Sequence, residues 1–168
     1  MTFHECQLTA KDFTYLQTLL ASKDCAEPYL HLLREKLGSA TLLLDHTIDR
    51  RIATIDSRVE FSIGGAFMEH RVLTRDEQGA TPGLSLPVTT LRGLALLGLR
   101  EHEVFRLRKA DGTREAIRLI KVAYQPEAAR MARTATVVPF QPRWRKELTG
   151  ADGAGSDPAG DDPGPGAA

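Results

Sequence analysis

Two carboxylates three residues apart, Asp24 and Glu27 in the stretch Ser22-Lys23-Asp24-Cys25-Ala26-Glu27-Pro28, have the type and spacing that suit divalent-metal chemistry. Held at the tip of a turn, such a pair can offer oxygens to magnesium, but tight binding needs substrate phosphates or further oxygens to complete an octahedron. The same residues can instead close one helix and open the next. Pro28 suits a first helical turn, where its missing N–H would have no intrahelical partner, and Glu27 lies favourably near the positive end of the following helix. Capping is the reading adopted here, with a metal-holding tip as the alternative. No cofactor and no metal site is expected elsewhere, because His4, His31, His46, His70 and His102 are scattered, without a second His or an acid at ligand spacing on one helix face. Cys25 has no neighbouring His to act as its base, and Cys6 and Cys25 lack CxxC spacing, so reduced structural thiols are expected.

The elements that must position these residues follow from periodicity. Thr9 followed by Asp12 resembles a capping box, and Phe13, Leu16 and Leu20 recur at helical spacing, which predicts a helix over 10–21. Leu30, Leu33 and Leu37 give a second helix its apolar stripe, with Arg34, Glu35 and Lys36 on its solvent face. The short connection makes the two stripes each other's mates, an antiparallel helical hairpin. Beyond it the period changes to two: Val59, Phe61 and Ile63 alternate with Arg58, Glu60 and Ser62, a strand with one buried face stopped at Gly64-Gly65. A second strand is predicted around 70–73. A short helix is predicted over "TTLRGLALLG", with Thr89 or Thr90 as cap and Gly98 past its end. Val104, Phe105 and Leu107 then form a strand, Asp111-Gly112 turns it, and "EAIRLIKVAY" returns. The fold class is α+β: a short N-terminal helical hairpin, then a small antiparallel sheet with one embedded helix.

Charge excludes little. Lysine plus arginine and aspartate plus glutamate balance at 22 each, so the total gives no hint of nucleic-acid or membrane binding. From Thr149 onward there are four Asp and no Lys or Arg, among Gly, Pro and Ala, so 149–168 is expected to be a disordered acidic tail. Before it lies a basic extension, 130–148, in which Trp144 stands among Arg143, Arg145 and Lys146; a solvated linker is preferred there to a stacking anchor. No basic leader with an apolar run and no membrane-length window is seen, so a cytoplasmic, monomeric protein is expected.

The segments "ATIDSRVEF" and "LALLGLREHEVFRLRKADGTREAIRLIKVAYQPEAA" resemble the C-terminal domain of the GreA/GreB transcription elongation factor family, and within it the Rnk branch, described as regulators of nucleoside diphosphate kinase. The likeness covers about 50–129, with a looser match over the helical hairpin. It implies an FKBP-like antiparallel domain over 47–129 behind a helical hairpin over 1–46. It also implies docking on RNA polymerase at the rim of its secondary channel, through the segment matching Thr90, Leu91, Arg92 and Gly93. Two positions depart from the family pattern: Ser-Pro before the embedded helix reads Thr90-Leu91, and Gly-Asp before the next strand reads His102-Glu103.

In Gre factors a long hairpin carries an Asp-x-x-Glu tip to the polymerase's second magnesium, and Asp24 and Glu27 have that spacing. Helices of about 12 residues rise only about 18 Å, too short to reach a buried active site. The expected function is therefore a non-enzymatic, Rnk-like regulator that binds RNA polymerase at the channel rim and competes with Gre factors without stimulating cleavage. It is expected to bind no nucleic acid sequence-specifically. The alternatives are a true cleavage factor using Asp24 and Glu27, or an FKBP-like module with another partner. A prolyl isomerase would need a deep aromatic-lined pocket, for which aromatics at 6% of the chain are thin.

Overall fold

Thr9 caps the first helix as its sequence suggests: its Oγ1 accepts a hydrogen bond from the Asp12 amide at 3.1 Å, and α1 runs from there over Ala10–Ser22. The computed structural model describes residues 6–22, 26–78 and 81–135. A second helix, α2, spans Glu27–Ser39 with Pro28 in its first turn. Two strands that periodicity did not reveal flank this pair, β1 (Cys6–Thr9) and β2 (Ala40–Leu43). They pair in parallel, Cys6 opposite Ala40 through Thr9 opposite Leu43, so the helices form the crossover that a parallel pair requires. Four residues are too few for alternation to stand out.

The stripe of α2 is turned relative to the sequence reading. Its buried residues are Tyr29, Leu32, Leu33 and Lys36, while Leu30 and Leu37 are half-buried. Lys36, expected on the solvent face, is 3% exposed. The reason is a third helix, α3 (Leu91–Leu96), against which α2 also packs. Polar tips on Tyr29 and Lys36 find backbone acceptors at and just before α3, so these side chains are buried with their donors paired. The two helices are therefore not simply each other's mates.

The main sheet contains β3 (Arg58–Ile63), β4 (Phe67–Thr74), β5 (Ser85–Pro87), β6 (Val104–Arg108) and β7 (Arg114–Tyr124), ordered β5-β4-β3-β7-β6. The sheet is mixed, not antiparallel throughout as expected: β5 runs parallel to β4, Val72 opposite Ser85 through Thr74 opposite Pro87. The Val72 amide bonds Leu84 O at 2.8 Å and the Val88 amide bonds Thr74 O at 2.8 Å. As a three-residue edge strand, β5 tolerates its terminal proline. The other neighbours are antiparallel, with register shifts between β3 and β7 beside Val59 and Phe61.

Val59, Phe61, Leu73, Ile117 and Leu119 from the sheet share one buried cluster with Leu94 to Leu97 around α3 and with Leu16, Tyr29, Leu32 and Leu33 of the helical pair. A fourth helix not anticipated from sequence, α4 (Pro126–Ala135), follows β7 directly. His102 adopts φ 72°, a left-handed conformation that a non-glycine residue seldom takes.

Candidate docking site

Thr90 is the cap of α3, its Oγ1 accepting from the Gly93 amide at 3.1 Å and donating to Pro87 O at 2.7 Å. Leu91 thus takes the first helical position, where a proline would have fitted without losing a hydrogen bond. The segment is held by other means. Gly93 packs so closely on the end of β5 that a Cβ there would sit 2.1 Å from Pro87 O, so no side chain fits. From the other side Tyr29 donates its hydroxyl to Val88 O at 2.9 Å.

Arg92 is only partly available to a partner. Its Nε and Nη2 donate to the two oxygens of Glu115 at 2.9 Å each, a bidentate pair reached across to β7. Lys109 Nζ lies 3.0 Å from the same carboxylate. Hydrogen bonding from Arg92 holds the Glu115 carboxyl at about 2, and the same bond raises Arg92 above its ordinary value. Of the four candidate docking residues, then, Gly93 supplies room, Thr90 supplies the cap, and Leu91 and Arg92 keep half-exposed side chains.

At the far end of α3, Lys36 Nζ donates to Ala95 O at 3.0 Å and also to Leu97 O. These carbonyls belong to the last turn, where a helix lacks internal donors and carries partial negative charge. Phe105 lies under the same amino group, 5.4 Å from ring centre to Nζ. Burial lowers the Lys36 pKa. Sequence patterning missed this residue because a lysine in a helix reads by default as solvent-facing.

Asp24 lies outside the described residues. Glu27 is exposed at the start of α2, and with Pro28 and His31 it borders a cleft of about 310 Å³ whose other wall is Arg108, Lys109, Ala110 and Gly112 of the β6–β7 turn. The start of α2 therefore faces the sheet. Tyr29, bonded at 2.9 Å to Val88 O just before α3, and Lys36, bonded at 3.0 Å to Ala95 O in its last turn, hold α2 along α3.

Among solved structures, the chain matches a prokaryotic transcription elongation factor GreA/GreB from Nitrosomonas europaea with a TM-score of 0.57 and 23% identity, covering 71% of this chain and 98% of that one. It shares the GreA/GreB fold. GreA factor homolog 1 (Gfh1) of Thermus thermophilus matches at a TM-score of 0.36 and 16% identity over 71% of this chain and 99% of that one. Gfh1 of Thermus aquaticus gives 0.35 and 16% over 70% and 97%. No family model and no curated protein matches the sequence.

Proposed function

We propose that the protein is a non-enzymatic transcription regulator of Rnk type, which docks on RNA polymerase at the rim of the secondary channel and competes there with Gre factors. The sheet and α3 act as an FKBP-like docking body, with Leu91 and Arg92 in the contact. One observation carries the reading: each helix of the pair has 13 residues, about 20 Å of rise, and α2 is fastened along α3 by Tyr29 and Lys36. A hairpin so short and so held occupies an entrance but does not deliver carboxylates to a distant metal. Support also comes from the shared GreA/GreB fold, and the polymerase contact itself comes from the family resemblance.

The test is competition on a paused elongation complex of a bacterial RNA polymerase. The protein is expected to bind the polymerase, to suppress transcript shortening by an added Gre factor, and to cause none alone. Shortening by the protein itself, abolished in Asp24→Ala, would replace this reading with that of a cleavage factor. Failure to bind polymerase at all would leave an FKBP-like module with another partner. The contact is tested with the paired change Arg92→Gln and Glu115→Gln, which removes the exposed cation without stranding a buried carboxylate; unchanged polymerase affinity would remove Arg92 from the site.

A further inference from the structure

The face of the sheet turned away from the core carries a concentration of positive charge that the balanced total conceals. Alternation along β6 and β7 places Arg106, Arg108, Arg114 and Arg118 on that face, all exposed, opposite the buried Leu107, Ile117 and Leu119. Register adds Arg58 of β3, and Lys121 of β7 opposite Glu60. None of these six cations forms an ion pair among the described residues. Glu60, the acid on this face, has His70 Nδ1 at 3.6 Å.

The cations are set against one another. Arg108 is paired directly with Arg114 across β6 and β7, and Arg106, opposite Ala116, has Arg114 and Arg118 at its diagonals. Directly opposed like charges destabilise a sheet, and diagonal neighbours lie within reach at about 7–8 Å. A merely solvated surface gains nothing from such an arrangement; a surface that receives a polyanion does. Between the charges runs a shallow groove of about 420 Å³ lined by Ser62, Met68, Val104, Ala116, Arg118 and Ile120. Met68 is 61% exposed and Tyr124, at the Lys121 end, 47% exposed. A separate groove of about 490 Å³ is bordered by Lys121, Tyr124, Arg50 and Arg51, with Glu101 also in its wall.

We propose that this outer face binds single-stranded RNA without regard to sequence. The cations meet phosphates, and Tyr124 with Met68 offers apolar surface to unstacked bases. The major groove of a duplex admits a helix or a two-stranded ribbon, and a five-stranded face is too broad to enter it, which favours a single strand. The choice of RNA over DNA rests on the proposed polymerase partner, whose emerging transcript is single-stranded RNA.

Fluorescence anisotropy of the full chain with a labelled oligouridylate of about 12 nucleotides tests the surface without polymerase, so its outcome is separate from that of docking. Binding is expected to weaken with salt. The double change Arg106→Gln and Arg118→Gln should lower affinity on the order of tenfold and flatten the log–log salt slope by about 1.4. Arg34→Gln, on the exposed side of α2, should change neither. Arg108→Glu gives a second readout, because it exchanges a like-charge pair for an opposite one: thermal stability should hold or rise while RNA affinity falls. Unaltered binding in the double variant would overturn the proposal. Tighter binding of duplex DNA, of the deoxy strand, or of polyglutamate at equal charge would also overturn it, in the last case in favour of an acidic protein partner.

Discussion

At the scale of single residues, Asp12 is the group whose burial has the clearest thermodynamic signature. It is 4% exposed, and its Oδ2 accepts from the Ile55 amide at 3.3 Å. Close by, Glu127 is 5% exposed and accepts from Thr54 Oγ1 at 2.8 Å. Burial, reinforced by the Glu127 charge and opposed by the Ile55 amide, Thr9 and Arg75, pushes the Asp12 pKa from 3.8 up to about 6. The folded chain therefore holds a proton that the unfolded chain has already released between those values. Stability from this group is complete below about pH 4 and is lost as pH rises to about 6, by roughly 3 kcal/mol at one unit per 1.4 kcal/mol. Denaturant titrations from pH 4 to 7 should show that fall, and Asp12→Asn should abolish most of it. Below pH 4 the carboxylates of Asp49 and Glu115, held at about 2 by Arg51 and Arg92, act in the opposite sense as they are protonated. Gly93 is the steric counterpart. In Gly93→Ala the new methyl meets backbone rather than a flexible side chain, so a loss of about 1–3 kcal/mol is expected in equilibrium unfolding.

At the scale of elements, α2 shows what patterning can and cannot read. The helix and its proline start were legible, since they depend on local propensity and a 3.6-residue period, whereas its end was not, because Gly38, a common stop, is absorbed within it. The stripe was displaced because Tyr29 and Lys36 count as polar in any pattern, whereas the acceptors that allow their burial, Val88 O and Ala95 O, both lie 59 residues away. Tyr29→Phe should cost about 1 kcal/mol, the net worth of one hydrogen bond, measurable as a lowered denaturation midpoint with unchanged slope. Strands β3, β6 and β7 were legible from their alternating residues, although β3 also buries Ser62 beside Phe61 and β7 shifts register against it; β1, β2 and β5 have three or four residues and draw their pairing from partners distant in sequence. A threonine cap for α3 was legible from residue type, with Thr90 the one of two candidates that takes it; the left-handed turn at His102 was marked only by the resemblance to a Gly-Asp pattern. The bidentate grip of Glu115 on the docking segment was not, because 23 residues and a hairpin separate it from Arg92.

At the scale of the whole molecule, equal numbers of acids and bases describe nothing about how charge is arranged. Within the described residues, Arg58, Arg106, Arg108, Arg114, Arg118 and Lys121 share the outer sheet face with Glu60, while Asp12, Glu115 and Glu127 are turned inward. Composition averaged these away. One further feature sets the order in which the chain can be completed. Strand β1 is satisfied only by later arrivals: Ala40 to Leu43 beside it, and Gly98, whose carbonyl accepts from the Gln7 amide at 3.3 Å and whose missing side chain leaves space for the Cys6 thiol. During synthesis β1 therefore lacks its Gly98 neighbour until about ninety further residues have followed it. In refolding followed by pulse-labelled exchange, the Gln7 amide should be among the last to close, and an early-closing Gln7 would show that the opening segment finds shelter elsewhere first.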